Sequence, residues 1–439
     1  MSETRSADRT PFSESSKDDE RRLQSRLPPE AEYTDALDLL AWMQRCREEH
    51  GDVFRASLYG GCVYVISHPE HAEHVLRRCY QKYRKGIAIK RIQMLLGNGL
   101  MVSEGALWKR QRRMIQPGFQ SRSVGRFLQI IDEANLALRR RWVAAAEAAA
   151  PVNVTRDVSQ LILEIVLRTI FSRDYDRLAD AFSLVSENRE RDLRFAQEFR
   201  ALGSHILAVR DTRRGAEGED QDFLDLLLHA RDRETGDAMS DGQLVNEVLT
   251  LIVAGHETTA GTLAWAWYLL SQDEAAADRL AQEVAREREG QLATDGLARC
   301  AYAGRVLDET MRLYPPGWLL TRRALEDDVM GGYFVGRGTE IYIPLYLIQR
   351  HPDLWERPDQ FDPDRCLASR RADALIPFSA GPRNCVGEHL ARLEMLVHLV
   401  RLGGALRMRY EAPGPLEYEL GVNLRNRYDF IMYPQLRFS

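Results

Sequence analysis

The longest apolar run in the chain, Leu244 to Leu270, keeps helical spacing but is broken at its centre by Ala254-Gly255-His256-Glu257-Thr258-Thr259. A histidine, an acid and two alcohols inside a core helix cost stability unless each finds a partner, so this step is a first candidate for chemistry. A second helical pattern follows Cys385, where Leu390, Leu393, Leu396 and Val397 recur at helical intervals. It predicts a helix leading out of the glycine-bracketed segment Phe378-Ser-Ala-Gly381-Pro-Arg383-Asn-Cys385-Val-Gly387. Ala144 to Ala150, closed by Pro151, reads as a helix end. Asp52 to Leu58 and Cys62 to Ile66 flank Tyr59-Gly60-Gly61 and predict a hairpin. Arg213 to Gln221 reads as a loop, and a β-rich stretch closes the chain. Residues 1–27 are polar, Ser-rich and mixed in charge, with too little apolar surface to offset ordering entropy, which predicts a disordered leader. No repeat or compositional break follows, so residues 28–439 are expected to form a single domain, mainly α with small β-sheets.

The Leu244–Leu270 run is long enough for a membrane span. His256 and Glu257 would then sit near mid-bilayer at several kcal/mol, and no charge asymmetry flanks the run. A zinc-protease helix of the HExxH kind fails on one residue, because Ala260 stands where the second histidine is required.

The cysteine segment has its own physical logic. A sulfur at a helix N-terminus faces unpaired N–H groups and the positive end of the macrodipole, both of which favour the thiolate. Gly381 and Gly387 let a flat group approach the backbone, and Arg383 is suited to an acidic edge of it. None of the six cysteines forms a CxxC pair and no secretory leader is present, so a zinc knuckle, a dithiol site and disulfides lack support. Cys46, Cys62, Cys79, Cys300 and Cys366 read as ordinary free cysteines.

Phe378, Gly381, Arg383, Cys385 and Gly387 stand at the spacing of the haem-binding signature, and the chain thereby resembles the cytochrome P450 family, soluble bacterial type. The resemblance implies haem b held by the Cys385 thiolate, buried between the cysteine-loop helix and an oxygen-binding helix. Ala254, Gly255, Glu257 and Thr258 match the latter's small-Gly-x-acid-Thr pattern. Activation of dioxygen consumes two protons, and by resemblance Thr258 and Glu257 relay them while Gly255 lets the helix open locally. A thiolate trans to dioxygen favours O–O cleavage over oxygen carriage. By the same resemblance the intact acid–alcohol pair favours a monooxygenase over peroxide-using or rearranging members and over a haem protein that only binds or senses a ligand, and it leaves N-oxidation open beside oxidation at carbon.

Glu309 and Arg312 lie three apart on one helical face, and Arg365 follows in Phe361-Asp362-Pro363-Asp364-Arg365. Their order resembles the family's buried Glu-Arg-Arg triad, a structural lock ahead of the cysteine loop. Trp108 and Arg112 meet the WxxxR pattern that holds haem propionates, Arg323 resembles the propionate-binding arginine of a later strand with Arg322 its near rival, and Lys85 is a further candidate.

The formal charge is −5, and no arginine-rich arm alternates with aromatics, which argues against nucleic acid as a partner. The leader has no apolar helix, so no membrane anchor is expected and the resemblance implies a cytoplasmic enzyme. No reductase segment is recognised, so electrons are expected from a separate ferredoxin or flavodoxin with its NAD(P)H reductase, docking at Lys109, Arg110 and Arg113. The resemblance implies a pocket lined by Ile87 to Val102, the helices around Phe195 to Ile206, Trp318-Leu319-Leu320 and Val422-Asn423-Leu424. Ile87, Ile89, Ile92, Met94, Leu95 and Leu96 predict that it is mainly apolar, for O2 and a small apolar substrate, a terpene, fatty-acyl or polyketide skeleton of specialised metabolism. Arg84, Lys85, Lys90 or Arg91 would hold a carboxylate on it.

Overall fold

A computed structural model describes residues 27–33, 38–58, 60–182, 185, 193–213, 222–287, 290–365 and 374–437. The predicted leader lies outside these except at Leu27, as do Cys366, most of the Arg213–Gln221 loop and the side chains of Lys90 and Arg91. The polar step does not end the long helix, which runs unbroken over Asp241–Gln272. Ser240 caps it by accepting from the Gln243 N–H at 3.3 Å. It packs along the helix Val154–Phe171 and also against Ala301–Leu313 and the cysteine helix Glu388–His398.

Gly255 is expected above to open the helix. It has a packing role as well. A Cβ there would stand 3.2 Å from Val166 Cγ2, so the glycine permits close approach of two helices. His256 turns the same way: its Nε2 lies 2.9 Å from Ser159 Oγ and 3.0 Å from the Ser159 carbonyl oxygen. These contacts account for one of the polar residues in an apolar helix.

The core is one cluster among the helices, with a smaller one under a six-stranded sheet. That sheet runs in spatial order Glu30–Ala31, Val53–Leu58, Gly61–Ile66, Glu340–Pro344, Leu319–Ala324, Tyr83–Lys85. The predicted hairpin is its second and third strands, paired antiparallel from Val53↔Ile66 to Leu58↔Gly61. Three helices are cross-linked at His398. The Trp267 indole N–H donates to its Nε2 at 2.8 Å, so Nδ1 carries the proton and donates to Asn135 Oδ1 at 2.8 Å. Burial pushes the His398 pKa down to about 3, which keeps it neutral. Among the described residues no helix is long and apolar enough to cross a membrane.

Candidate haem-thiolate site

Cys385 precedes the cysteine helix by three residues and is held by its own N–H, which donates to the Phe378 carbonyl at 2.8 Å. Gly381 makes the loop possible: its φ is +73° and a Cβ would fall 1.9 Å from the Leu76 carbonyl oxygen. Burial pushes the Cys385 thiol up from its ordinary value, as does the Glu388 carboxylate. The Gly387 and Glu388 N–H groups and the Arg112 guanidinium oppose this. Yet the residue is exposed by area. The sulfur is thus withdrawn from bulk water without being covered by neighbouring side chains. It is aimed at by donors that stabilise an anion.

A second cluster is cationic. Antiparallel register puts Lys85 opposite Arg322, on one face of the sheet. Arg322 is 6% exposed and donates to the Thr321 carbonyl at 2.9 Å. Burial lowers its pKa to about 10, with Arg383 adding to the shift. Lys85 Nζ donates to the Leu100 and Ser103 carbonyls at 2.9 and 2.8 Å, and burial brings its pKa down to about 7. Arg383 pairs with Glu104 at 2.9 Å and lies 5.3 Å over the Trp108 ring, while its buried Nε has no partner. Three cationic side chains converge here, and Glu104 offsets one.

Arg323 stands elsewhere. It alternates to the opposite face of its strand, 38% exposed, with Nη1 3.7 Å from Glu340 Oε1. Of the two rivals, the strand register brings Arg322 to Arg383. Arg112 contacts the cysteine loop: its Nη1 and Nη2 donate to Asn384 O and Oδ1 at 2.7 and 2.8 Å, directly before Cys385. Phe378 packs on the core, with the Arg392 guanidinium 4.9 Å over its ring.

The Glu309 carboxylate accepts from Arg312 Nε at 2.7 Å and Nη2 at 2.8 Å, from Arg365 Nε at 3.1 Å and from the Asp362 N–H at 3.1 Å. Arg312 Nη1 donates to the Gln349 and Pro358 carbonyls, and Arg365 Nη2 to those of Arg357 and Gln360. Every charge in the group is paired or hydrogen-bonded, the condition under which burial is tolerated.

On the long helix, Thr258 Oγ1 donates to the Ala254 carbonyl at 2.8 Å. Glu257 Oε2 accepts from Asn423 Nδ2 at 3.0 Å. Thr259 is buried and turns toward Glu394 of the cysteine helix. Arg110 and Arg113, expected above to dock a redox partner, have local partners. Arg113 pairs with Asp232 and Glu234 at 2.9 Å each, and Arg110 donates to the Ala238 carbonyl at 2.9 Å with Asp232 3.8 Å away. Their charge is largely spent within the chain.

A family model described as Cytochrome P450 matches residues 35–197 and 182–402, nearly the whole described fold. The chain belongs to the cytochrome P450 family. It is 31% identical over 387 residues to cyclooctatin synthase of Streptomyces melanosporofaciens, covering 82% of this chain and 83% of that protein. Cyclooctat-9-en-7-ol 5-monooxygenase of the same organism is 30% identical over 390 residues, with 82% and 83% covered. The solved haem domain of cytochrome P450DA superposes with a TM-score of 0.81 at 25% identity, over 93% of this chain and 97% of that one. The protein is therefore a cytochrome P450 monooxygenase whose cofactor is haem b.

The residues present fit that group. A desolvated thiol surrounded by anion-stabilising donors calls for a bound cation, and a cationic cluster with an unpartnered buried Nε calls for carboxylates. Sequence reasoning missed Glu104, which lies in no motif, and took Asn423 only as part of the pocket lining. It also passed over Glu394, although an acid four residues after Leu390 on an apolar helix face was a legible signal.

Proposed function

We propose that the enzyme inserts one oxygen atom from O2 into a terpenoid or comparably apolar small molecule of bacterial specialised metabolism, by hydroxylation or epoxidation. Haem bound through Cys385, with its carboxylates at Lys85, Arg322 and Arg383, supplies the oxygen-activating chemistry. Thr258 and Glu257 hold and deliver the protons that chemistry consumes. A ferredoxin or flavodoxin with its NAD(P)H reductase supplies the electrons. The observation that carries this reading is an acid and an alcohol at adjacent positions of a helix packed on the cysteine helix.

Support for the substrate class comes from two directions. Ile87 and Met94, on the helix Ile87–Leu96, are 47% and 62% exposed, and Val422 is 54% exposed, whereas Leu96 is core. Relatives bear names built on cyclooctat-9-en-7-ol, and at 28% identity on pentalenene. Titration of the haem-loaded protein with polycyclic terpene alcohols and hydrocarbons, followed by mass spectrometry of turnover mixtures, tests it. A saturable spectral shift and a product heavier by one oxygen are expected. Binding only of ionic or highly polar compounds would overturn it.

A further inference from the structure

The acid of the acid–alcohol pair is tied to a distant part of the chain. Asn423 belongs to the turn between the strands Tyr418–Leu420 and Leu424–Asn426, which pair antiparallel with Leu420 opposite Leu424. This turn is pinned on three sides. Trp318 Nε1 donates to the Gly421 carbonyl at 3.1 Å, Trp265 Nε1 of the long helix donates to the Leu424 carbonyl at 3.2 Å, and the Leu424 N–H donates to the Pro316 carbonyl at 3.0 Å. Anchored backbone on both sides of Asn423 fixes its amide in space. Its Nδ2 then donates to Glu257 Oε2 at 3.0 Å, 166 residues away in sequence. Arg425 is the nearby cation: its Nε and Nη2 grip Glu419 at 2.9 and 2.7 Å, and Glu257 interacts with it electrostatically.

We propose that Asn423 is a positioning residue for proton delivery. By donating to the ionised form of Glu257 it holds the carboxylate toward the hairpin and favours its charged state. An asparagine that donates to a carboxylate acts on its orientation and on its affinity for a proton together. The proposal rests on the relay reading of Glu257 given above.

The test uses haem-loaded full-length enzyme with a surrogate ferredoxin and its reductase, in the absence of organic substrate. It measures NADPH oxidation against pH, the ratio of rates in H2O and D2O, and amide hydrogen exchange of peptides spanning residues 418–426. Asn423→Ala removes the donor. Its expected effects are an upward move of the Glu257-dependent limb of the pH profile, and faster exchange in the hairpin. Asn423→Asp, which sets a second carboxylate against the first, moves the limb further the same way. Glu257→Gln keeps an acceptor for Asn423 and therefore keeps hairpin protection, but loses the limb. In a Glu257→Ala background, Asn423→Ala has no additional effect on rate or isotope ratio.

If Asn423→Ala and Asn423→Asp leave the limb in place while Glu257→Gln removes it, the positioning role is wrong and the relay stands. If Glu257→Gln itself changes neither the limb nor the isotope ratio, the relay reading falls and the positioning role falls with it. If Asn423→Ala acts equally with and without Glu257, Asn423 works through some other group and the proposal is overturned.

Discussion

Replacing Glu394 by glutamine probes how the cysteine helix is docked. Glu394 is 2% exposed, and burial raises its carboxyl to about 8, partly offset by the Thr259 hydroxyl; its Oε1 makes no hydrogen bond. The folded chain therefore keeps the proton up to about pH 8, while the unfolded chain gives it up near the ordinary value of 4.5. The stabilisation from this protonated group is complete below about pH 4.5 and is lost as pH rises through about 8. A window of about 3.5 units, at about 1.4 kcal/mol each, bounds the loss at about 5 kcal/mol. Relaxation and water entry reduce such figures, and about 2–3 kcal/mol is the expected size. Glutamine has nearly the same shape and no proton to lose. With roughly 2 cal/mol/K of unfolding entropy per residue over 439 residues, the gap corresponds to roughly 3 °C. Calorimetric scans at one rate should place wild type and Glu394→Gln together near about pH 5, with the variant melting higher near about pH 9. A difference that is flat with pH, or that grows on the acid side, would refute the claim that the acid is buried neutral.

Arg365→Ala leaves Glu309 short of one charged donor and should cost roughly 3–5 kcal/mol in urea unfolding, with reduced haem content; unchanged unfolding and full haem loading would contradict a locking role. Arg322→Gln should accelerate haem transfer to apomyoglobin by about tenfold, equivalent to about 1.4 kcal/mol, whereas Arg323→Gln should stay within about twofold; the reverse order would return the propionate role to Arg323. Thr258→Ala should retain haem but divert NADPH to peroxide, and unchanged coupling of NADPH to product would sink the proton role of Thr258.

What was legible in the sequence follows from what spacing encodes. The cysteine loop, the Glu309–Arg312 pair and the Glu257–Thr258 step are local patterns, and their residues needed only a helix or a turn to be interpreted. The packing role of Gly255 was not legible because it depends on Val166, 89 positions earlier in the chain. Arg322 and Arg323 are adjacent on a strand, so one of them must face Lys85. Register is set by a partner strand more than 230 residues away, which no local pattern contains. The ion pairs of Arg110 and Arg113 were not legible because their acidic partners, Asp232 and Glu234, come from a different loop. Asn423 carries no motif at all, and its meaning comes from the three hydrogen bonds that fix its turn.

The central claim is that the Cys385 sulfur is the haem ligand, and carbon monoxide added to the dithionite-reduced, haem-loaded protein tests it most directly. The account predicts a strongly red-shifted Soret band that disappears in Cys385→Ala. A wild-type band at the position given by histidine-ligated haem, or a red-shifted band that survives in Cys385→Ala, would contradict it.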